Sequence, residues 1–365
     1  MTTDILCLVS HHSVGGAQNV AVRLTSAFRE RGYRAELGFL FQENANWNCG
    51  IKDRFIIAER KPKTLTEWWH FFTRCRAECA MRAPLVAIGF HPLANIIGAL
   101  MVGKSGRFIS SQAWPATEQS RGTERVENLL CRTPLIYRNI AVSGFVASTF
   151  AHRGKAYARK TEIIYNDPPT LPVIEDDKPA CQKKLGITTG VPVLGCIGRL
   201  HEQKNFQLAI RTLPYVPSAH LFIAGDGTQE AMLRALAVKR GVDARVHFLG
   251  PLVGADVSRF YRAVDWLLMP SLYEGHPLVM LEAMASGAPV ISHDVPVMRE
   301  AGADAALYCS SEPINWAETL ANLDEPRRQE MIAKGKARAA HFAQTSMVDE
   351  YLRMMSLPAY KQEAL

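Results

Sequence analysis

Short apolar runs alternate with amphipathic stretches along the whole chain. In the first half the runs are Ile5–Val9, Ala35–Leu40, Leu85–Phe90, Phe108–Ser111, Ile140–Val142 and Glu162–Tyr165. Runs of this length predict strands, and helical spacing fills the intervals 16–31, 64–81, 92–102, 121–130 and 144–150. The second half repeats the arrangement with Val193–Ile197, Ala219–Ala224, Val246–Leu249, Trp266–Met269, Pro289–Ser292 and Ala305–Tyr308. From about residue 313 the pattern is helical, ending in Ser346–Met355 with a weak apolar stripe. Strand–helix alternation of this kind implies right-handed crossovers and a parallel sheet with helices on both faces.

The halves are joined by Asn166-Asp167-Pro168-Pro169-Thr170-Leu171-Pro172 and the acidic Glu175-Asp176-Asp177. Prolines so closely spaced cannot continue a helix or a central strand, so this is a linker. The expected architecture is α/β: two Rossmann-like, doubly wound parallel-sheet domains, residues 1–168 and 169–345, with an interdomain cleft. Residues 346–365 form a helical tail that could pack back on the first domain. In such sheets ligands bind just beyond the carboxyl ends of the strands.

A chain of 365 residues, 48% apolar and 21% charged, suits two globular domains. No run approaches the ~20 apolar residues of a membrane-spanning helix. The N-terminus lacks a basic start and its apolar run ends at Val9, against a secretory signal; a cytoplasmic location is expected. The eight cysteines are scattered, and only Cys75 and Cys79 stand at i, i+4. With no second pair to complete a zinc site, they read as reduced and structural, and no metal is expected.

The net charge of +7 is uneven. Residues 1–170 carry 22 Lys/Arg against 13 Asp/Glu, a balance of +9, and residues 171–365 carry 20 against 22, or −2. A basic first half suits an anionic counterpart such as nucleic acid, an acidic lipid surface or a phosphorylated acceptor. Nucleic acid is disfavoured, because the chain has no recognisable binding module and intersperses acids among the bases. Glu67-Trp68-Trp69-His70-Phe71-Phe72, followed by Arg74, Arg76 and Arg82, is the most membrane-like segment. It suits peripheral contact with an anionic inner membrane face, or else packs its rings into the first core.

Three segments can carry chemistry. Ser13-Val14-Gly15-Gly16-Ala17 follows the first strand and opens a helix, where Gly15 and Gly16 let backbone amides approach a phosphate or a sugar. It lacks the three-glycine dinucleotide fingerprint. Gly198-Arg199-Leu200-His201-Glu202-Gln203-Lys204-Asn205 follows strand Val193–Ile197. Arg199 and Lys204 there can clamp a diphosphate, the first by bidentate hydrogen bonds and the second as a point charge. Pro270-Ser271-Leu272-Tyr273-Glu274-Gly275-His276-Pro277-Leu278 leads into a helix expected to run from Pro277 to Ser286 and to stop at Gly287.

Glu274 precedes that helix and Glu282 lies inside it, separated by up to ~12 Å at helical rise. One carboxylate can then grip hexose hydroxyls and the other ribose hydroxyls. Gly275, His276, Pro277 and Leu278, at the helix N-terminus between them, would face a pyrophosphate. An unpartnered Glu282 in an apolar helix would be costly, which favours a ligand for it.

In order and spacing, the Arg199/Lys204 loop, Ala224-Gly225-Asp226-Gly227, Phe248-Leu249-Gly250 and Glu274-x7-Glu282-Ala-Met-Ala resemble the retaining glycosyltransferase family 4. The resemblance is strong over roughly 190–310 and looser over 1–165. It implies the GT-B fold and a cytoplasmic hexosyltransferase of polysaccharide biosynthesis that needs neither metal nor cofactor. The donor would be a UDP- or GDP-sugar and the acceptor a saccharide or a lipid-linked one. It further implies that Arg199 and Lys204 hold the diphosphate, Glu274 the hexose and Glu282 the ribose. Leu249 and nearby backbone would hold the base, and Gly16 would face phosphates or acceptor.

Many members of that family have a histidine where this chain reads Ser110-Ser111-Gln112-Ala113-Trp114, so Gln112 is expected in its place, with His91 as a second candidate. A nucleotide-sugar epimerase or hydrolase on the same fold, and a basic nucleic-acid-binding protein, are the alternatives.

Overall fold

The computed structural model describes residues 3–13, 15–45, 47–102, 106–187, 190–344 and 346–357. The chain divides into two compact units, residues 1–166 with 346–365, and residues 167–345. The divide falls where the prolines bar regular structure.

In the first unit the elements are β1 (Ile5–His12), α1 (Gly16–Glu30), β2 (Ala35–Gln42), β3 (Phe55–Ala58), α2 (Leu65–Arg82), β4 (Val86–Phe90) and α3 (Pro92–Val102). They continue with β5 (Arg107–Gln112), α4 (Arg121–Cys131), β6 (Arg138–Ala141), α5 (Gly144–Thr149), α6 (Lys155–Ala158) and β7 (Thr161–Ile163). The sheet is parallel with order β3-β2-β1-β4-β5-β6-β7. β1 and β4 are covered on both faces, which is why Ile5–Val9 and Val86–Phe90 read as unbroken apolar runs.

The edge strand β3 escapes the sequence reading. Its four residues are mostly half-buried and flanked by Arg54 and Glu59, so its apolar run is shorter than those of the buried strands. β6 and β7 begin one or two residues earlier than the apolar pattern suggests.

In the second unit the elements are α7 (Lys178–Lys184), β8 (Val193–Ile197), α8 (Phe206–Thr212), β9 (His220–Ala224), α9 (Glu230–Lys239), β10 (Val246–Gly250) and α10 (Ala255–Ala263). There follow β11 (Trp266–Met269), α11 (Leu278–Ala285), β12 (Val290–His293), α12 (Pro296–Gly302), β13 (Ala306–Cys309), α13 (Pro313–Ala321) and α14 (Glu325–Ala343). Its parallel sheet has the order β10-β9-β8-β11-β12-β13. All six strands expected here are present, each within a residue or so of the apolar run that announced it.

The last helix, α15 (Met347–Met355), belongs to the first unit. It buries Met347, Tyr351, Met354 and Met355. Tyr351 lies edge-on to Phe28 of α1 with centroids 6.5 Å apart, Asp349 pairs with Arg31, and the Met355 carbonyl accepts from Arg107 Nη1 at 2.7 Å. Residues 358–365 of the expected tail lie outside the described residues.

All eight cysteines are free and buried. Burial pushes the Cys75 thiol up to about 12 and that of Cys79 to about 11, so both are protonated and packed as small apolar groups. Among the described residues no cluster of three or more His, Cys, Asp or Glu side chains could hold a metal ion, and no helix is long and apolar enough to cross a membrane.

Candidate active site

In the second unit the order of strands reverses between β8 and β11. A crevice opens beyond the carboxyl ends of two such strands, because the helices that follow them leave to opposite faces. The two loops that rim it are those singled out in the sequence, after β8 and after β11, and they are tied to each other. The Leu272 N–H donates to the Gln203 carbonyl at 2.8 Å, and Asn205 Nδ2 donates to the Pro270 carbonyl at 3.2 Å. Gln203 Nε2 donates to the Tyr273 carbonyl at 3.0 Å and to Glu274 Oε2 at 3.3 Å. Asn205 turns the chain with a φ of 51°, a left-handed conformation that asparagine tolerates better than most residues. Gln203 and Asn205 were not assigned roles from sequence, although both stand inside the basic motif.

On this frame Lys204 Nζ lies 2.5 Å from Glu274 Oε1. Their side chains are 15% and 9% exposed, so the pair is partly desolvated and weakly screened. Arg199, on the same loop, is exposed, and its guanidinium has no partner among the described residues.

The turn after β9 backs the basic loop. The Leu200 N–H donates to the Asp226 carbonyl at 2.7 Å and the Gly198 N–H to the Ala224 carbonyl at 2.9 Å. Gly225 and Gly227 have φ of 132° and 151°, and a Cβ would fall 1.9 Å from the Gly198 oxygen at the first and 2.5 Å from the Leu200 oxygen at the second. Only glycine permits this approach of two backbones. The Gly225 N–H reaches the Gly250 carbonyl at 2.7 Å, which brings in the end of β10, where Leu249 is half-buried.

Gly275, His276 and Pro277 lead into α11, which starts at Leu278 and is followed by Gly287 with a φ of 80°. The helix has no side-chain cap and no acidic residue in its first turn. The His276 ring is buried and packs 5.2 Å from that of Phe342 on α14.

Glu282 departs from the expectation of an unpartnered carboxylate. It is the fifth residue of α11 and is only half-buried, and the Tyr261 hydroxyl of α10 donates to its Oε2 at 2.8 Å. The absence of a partner therefore does not argue for a ligand. Nothing in the local sequence links Tyr261 to Glu282, since helix–helix register decides the contact.

In the first unit the order of strands reverses between β1 and β4, and Gly15, Gly16 and His91 lie at the carboxyl ends of those two strands. Gly15 precedes α1 in extended conformation, α1 has no side-chain cap, and a Cβ on Gly16 would meet nothing within 4 Å. Val14 of the same motif lies outside the described residues. His91 has a φ of 90°, and its carbonyl accepts from the Asn95 N–H at 2.9 Å. Strain of this kind in a non-glycine residue clusters at functional sites.

Gln112, expected where many family members have a histidine, has partners within the first unit. It is buried, its Nε2 donates to Ser110 Oγ at 3.0 Å and to Glu127 Oε2 at 3.3 Å, and its Oε1 accepts from Gln119 at 2.9 Å. Glu127 in turn pairs with the equally buried Arg153 at 3.1 Å. This network engages both ends of the Gln112 amide within the first unit. His12, also missed, is held as the neutral tautomer: Nδ1 meets the Asn44 carbonyl at 3.0 Å and Nε2 accepts from Arg54 at 3.0 Å. Burial lowers its pKa.

Residues 191–325, which carry both rim loops, the glycine turn and α11, match the family model described as glycosyl transferases group 1. This segment is a group 1 glycosyltransferase domain. Over nearly its whole length the chain is similar to the lipopolysaccharide core biosynthesis glycosyltransferase LpsE of Rhizobium meliloti (strain 1021), with 25% identity across 94% of this chain and 96% of that protein. It is also similar to a GDP-mannose-dependent monoacylated alpha-(1-6)-phosphatidylinositol monomannoside mannosyltransferase of Corynebacterium glutamicum. Those two are 39% identical over 132 residues, covering 33% of this chain and 34% of that one.

Among solved structures, Anabaena Alr3699/HepE in complex with UDP-glucose superposes with a TM-score of 0.81 at 19% identity, covering 97% of this chain and 98% of that one. That likeness speaks for the fold, which is GT-B. The glycosyltransferase class and the two parallel-sheet units expected from the sequence are borne out. The group 1 domain coincides with the stretch where the family resemblance is strong.

Proposed function

We propose that the chain is a retaining, metal-independent hexosyltransferase of family 4, acting from a UDP- or GDP-sugar on a saccharide or lipid-linked acceptor. The observation that carries this reading is the charge arrangement of the group 1 domain. An unpaired Arg199, the Lys204–Glu274 pair and the uncapped start of α11 gather around one strand reversal. Arg199 and Lys204 take the diphosphate, with the N–H groups at the start of α11 facing its oxygens. Glu274 holds the hexose, Glu282 the ribose, and the backbone near Leu249 the base.

In the reaction the C1–oxygen bond to the diphosphate breaks and a bond from C1 to the acceptor oxygen forms on the same face. The acceptor's proton passes to the departing phosphate oxygen. Catalysis rests on cations and dipoles set in place beforehand, so no protein base and no divalent ion is required. The names of the relatives support donors of this class: one is GDP-mannose-dependent, and the Anabaena structure holds UDP-glucose.

A thermal-shift panel of UDP- and GDP-sugars, with and without chelator, tests the reading. One donor should raise Tm by several degrees, and the chelator should leave that shift unchanged. The idea fails if no nucleotide or nucleotide sugar moves the transition. Product analysis with that donor separates transfer from epimerisation or hydrolysis.

For the acceptor, the first unit offers a cleft of about 500 Å³ at the ends of β2 and β3, lined by Gln42, Ala58, Arg60, His70, Phe71 and Arg74. A mixed apolar and planar polar lining of this size suits a saccharide. Beside it, α2 turns Phe71 inward against Phe41, with ring centroids 5.1 Å apart, and leaves Trp69 69% and Leu65 89% exposed near Arg74 and Arg76. We read this face as a peripheral contact with anionic lipid on the cytoplasmic side of the membrane. Flotation with anionic liposomes should carry the protein upward at low salt, and Trp69→Ser should reduce that fraction several-fold. Equal recovery with neutral liposomes removes the idea.

A further inference from the structure

Gln203, the residue before Lys204, makes contacts that the family resemblance does not assign. It is buried, and its Nε2 donates to the Tyr273 carbonyl at 3.0 Å and to Glu274 Oε2 at 3.3 Å. We propose that Gln203 is a positioning residue, which keeps the Glu274 carboxylate aimed at the donor hexose when the diphosphate takes the Lys204 ammonium. This rests on the donor-site reading above.

The two oxygens of that carboxylate are held by different partners. Oε1 meets Lys204 Nζ at 2.5 Å, and Oε2 accepts from Gln203. A diphosphate entering the crevice competes for the ammonium, since the more highly charged anion attracts it more strongly. Gln203 carries no net charge and keeps its place. Its amide nitrogen faces two acceptors, a carbonyl and a carboxylate, and a flip would set oxygen against oxygen. Its backbone is tied to the same loop, because its carbonyl accepts from the Leu272 N–H at 2.8 Å. Gln203 is therefore fixed to the loop that carries Glu274 by bonds that do not involve Lys204.

The place of Glu274 makes this restraint matter. It precedes α11 rather than lying within it, and the terminal torsion of a glutamate side chain is broad. The residue is buried, so water can do little to orient it. A bond from Gln203 to Oε2 sets the carboxylate plane and still leaves lone pairs on both oxygens for hexose hydroxyls.

A buried glutamine that bridges two loops also serves stability, so the experiment must separate the two roles. Affinities for UDP and UDP-glucose, and for GDP and GDP-mannose, are measured calorimetrically on the intact protein, below the Tm of every variant. For the pair that the wild type binds, the ratio of sugar-nucleotide to nucleotide affinity reports the hexose contacts. Gln203→Met removes the donor at equal length and should lower that ratio about five- to tenfold, the worth of about one hydrogen bond. Nucleotide affinity should stay within about threefold of wild type, since Lys204 is untouched. Gln203→Asn keeps an amide with a shorter reach; it is the milder variant and should lower the ratio in the same direction. In a Glu274→Ala background, Gln203→Met should change the ratio by less than about twofold, because a residue that acts through Glu274 then has nothing to position.

A lower Tm with the ratio unchanged overturns the positioning role and leaves the donor site standing. So does an equal loss in the Glu274→Ala background, or a nucleotide affinity that falls as far as that for the sugar nucleotide. Failure of the wild type to bind any of the four ligands overturns the donor-site reading, and this proposal with it.

Discussion

Replacing Glu274 by Gln is expected to tighten binding of free nucleoside diphosphate about tenfold and to lower turnover by about 10²-fold or more. The Lys204 ammonium is engaged by the Glu274 carboxylate. A diphosphate must compete for that ammonium. Removing the negative charge while keeping the shape releases Lys204 to the ligand, and Gln203 can still donate to the amide oxygen. The hexose loses a charged acceptor, so the chemical step suffers as product affinity rises.

Lys204→Ala should shift nucleotide affinity the other way and also lower turnover. It weakens the diphosphate complex and strands a buried carboxylate, at about 3 kcal/mol of stability. Calorimetry with UDP and GDP, together with single-turnover rates, distinguishes these outcomes. If Glu274→Gln binds no more tightly than wild type and turns over at full rate, the shared-ammonium account is wrong.

Gly225→Ala should be the most damaging single methyl in the second unit. The added carbon would fall 1.9 Å from the Gly198 carbonyl oxygen, a backbone atom that no rotamer change can move, and a φ of 132° is itself strained for alanine. We expect a loss of about 3 kcal/mol or more, read as a lower denaturation midpoint, with donor binding lost even where the variant remains folded. Displacing Gly198 displaces the loop carrying Arg199 and Lys204. Gly250→Ala is the control: it also has a positive φ, 71°, but nothing lies within 4 Å of its Cβ, so the penalty should be confined to backbone strain. Equal stability of the two variants would refute the steric explanation.

Buried strands were readable in this chain because parallel strands covered on both faces leave continuous apolar runs, as in Val193–Ile197 and Trp266–Met269. β3 was not, since an edge strand needs fewer apolar positions. The loops of the site were legible as well: glycine, cation and carboxylate spacings are local, and the fold places them beyond strand ends. What escaped the sequence depends on packing between elements remote along the chain. Tyr261 meets Glu282 across two helices, and Gln112 is drawn into the Glu127–Arg153 network by the approach of α4. The identity of a side chain announces neither contact.

The return of α15 to the first unit bears on how the protein is made. Phe28 and the rest of the α1 surface that meets Tyr351 are synthesised more than 300 residues before their partner. On the ribosome, the early sheet must therefore wait with an apolar flank uncovered while the whole group 1 domain emerges and folds. Stop codons or proteolytic cuts just before Met347 would leave that domain intact and expose the flank of the other unit, so the last helix works as a latch on the first-made half.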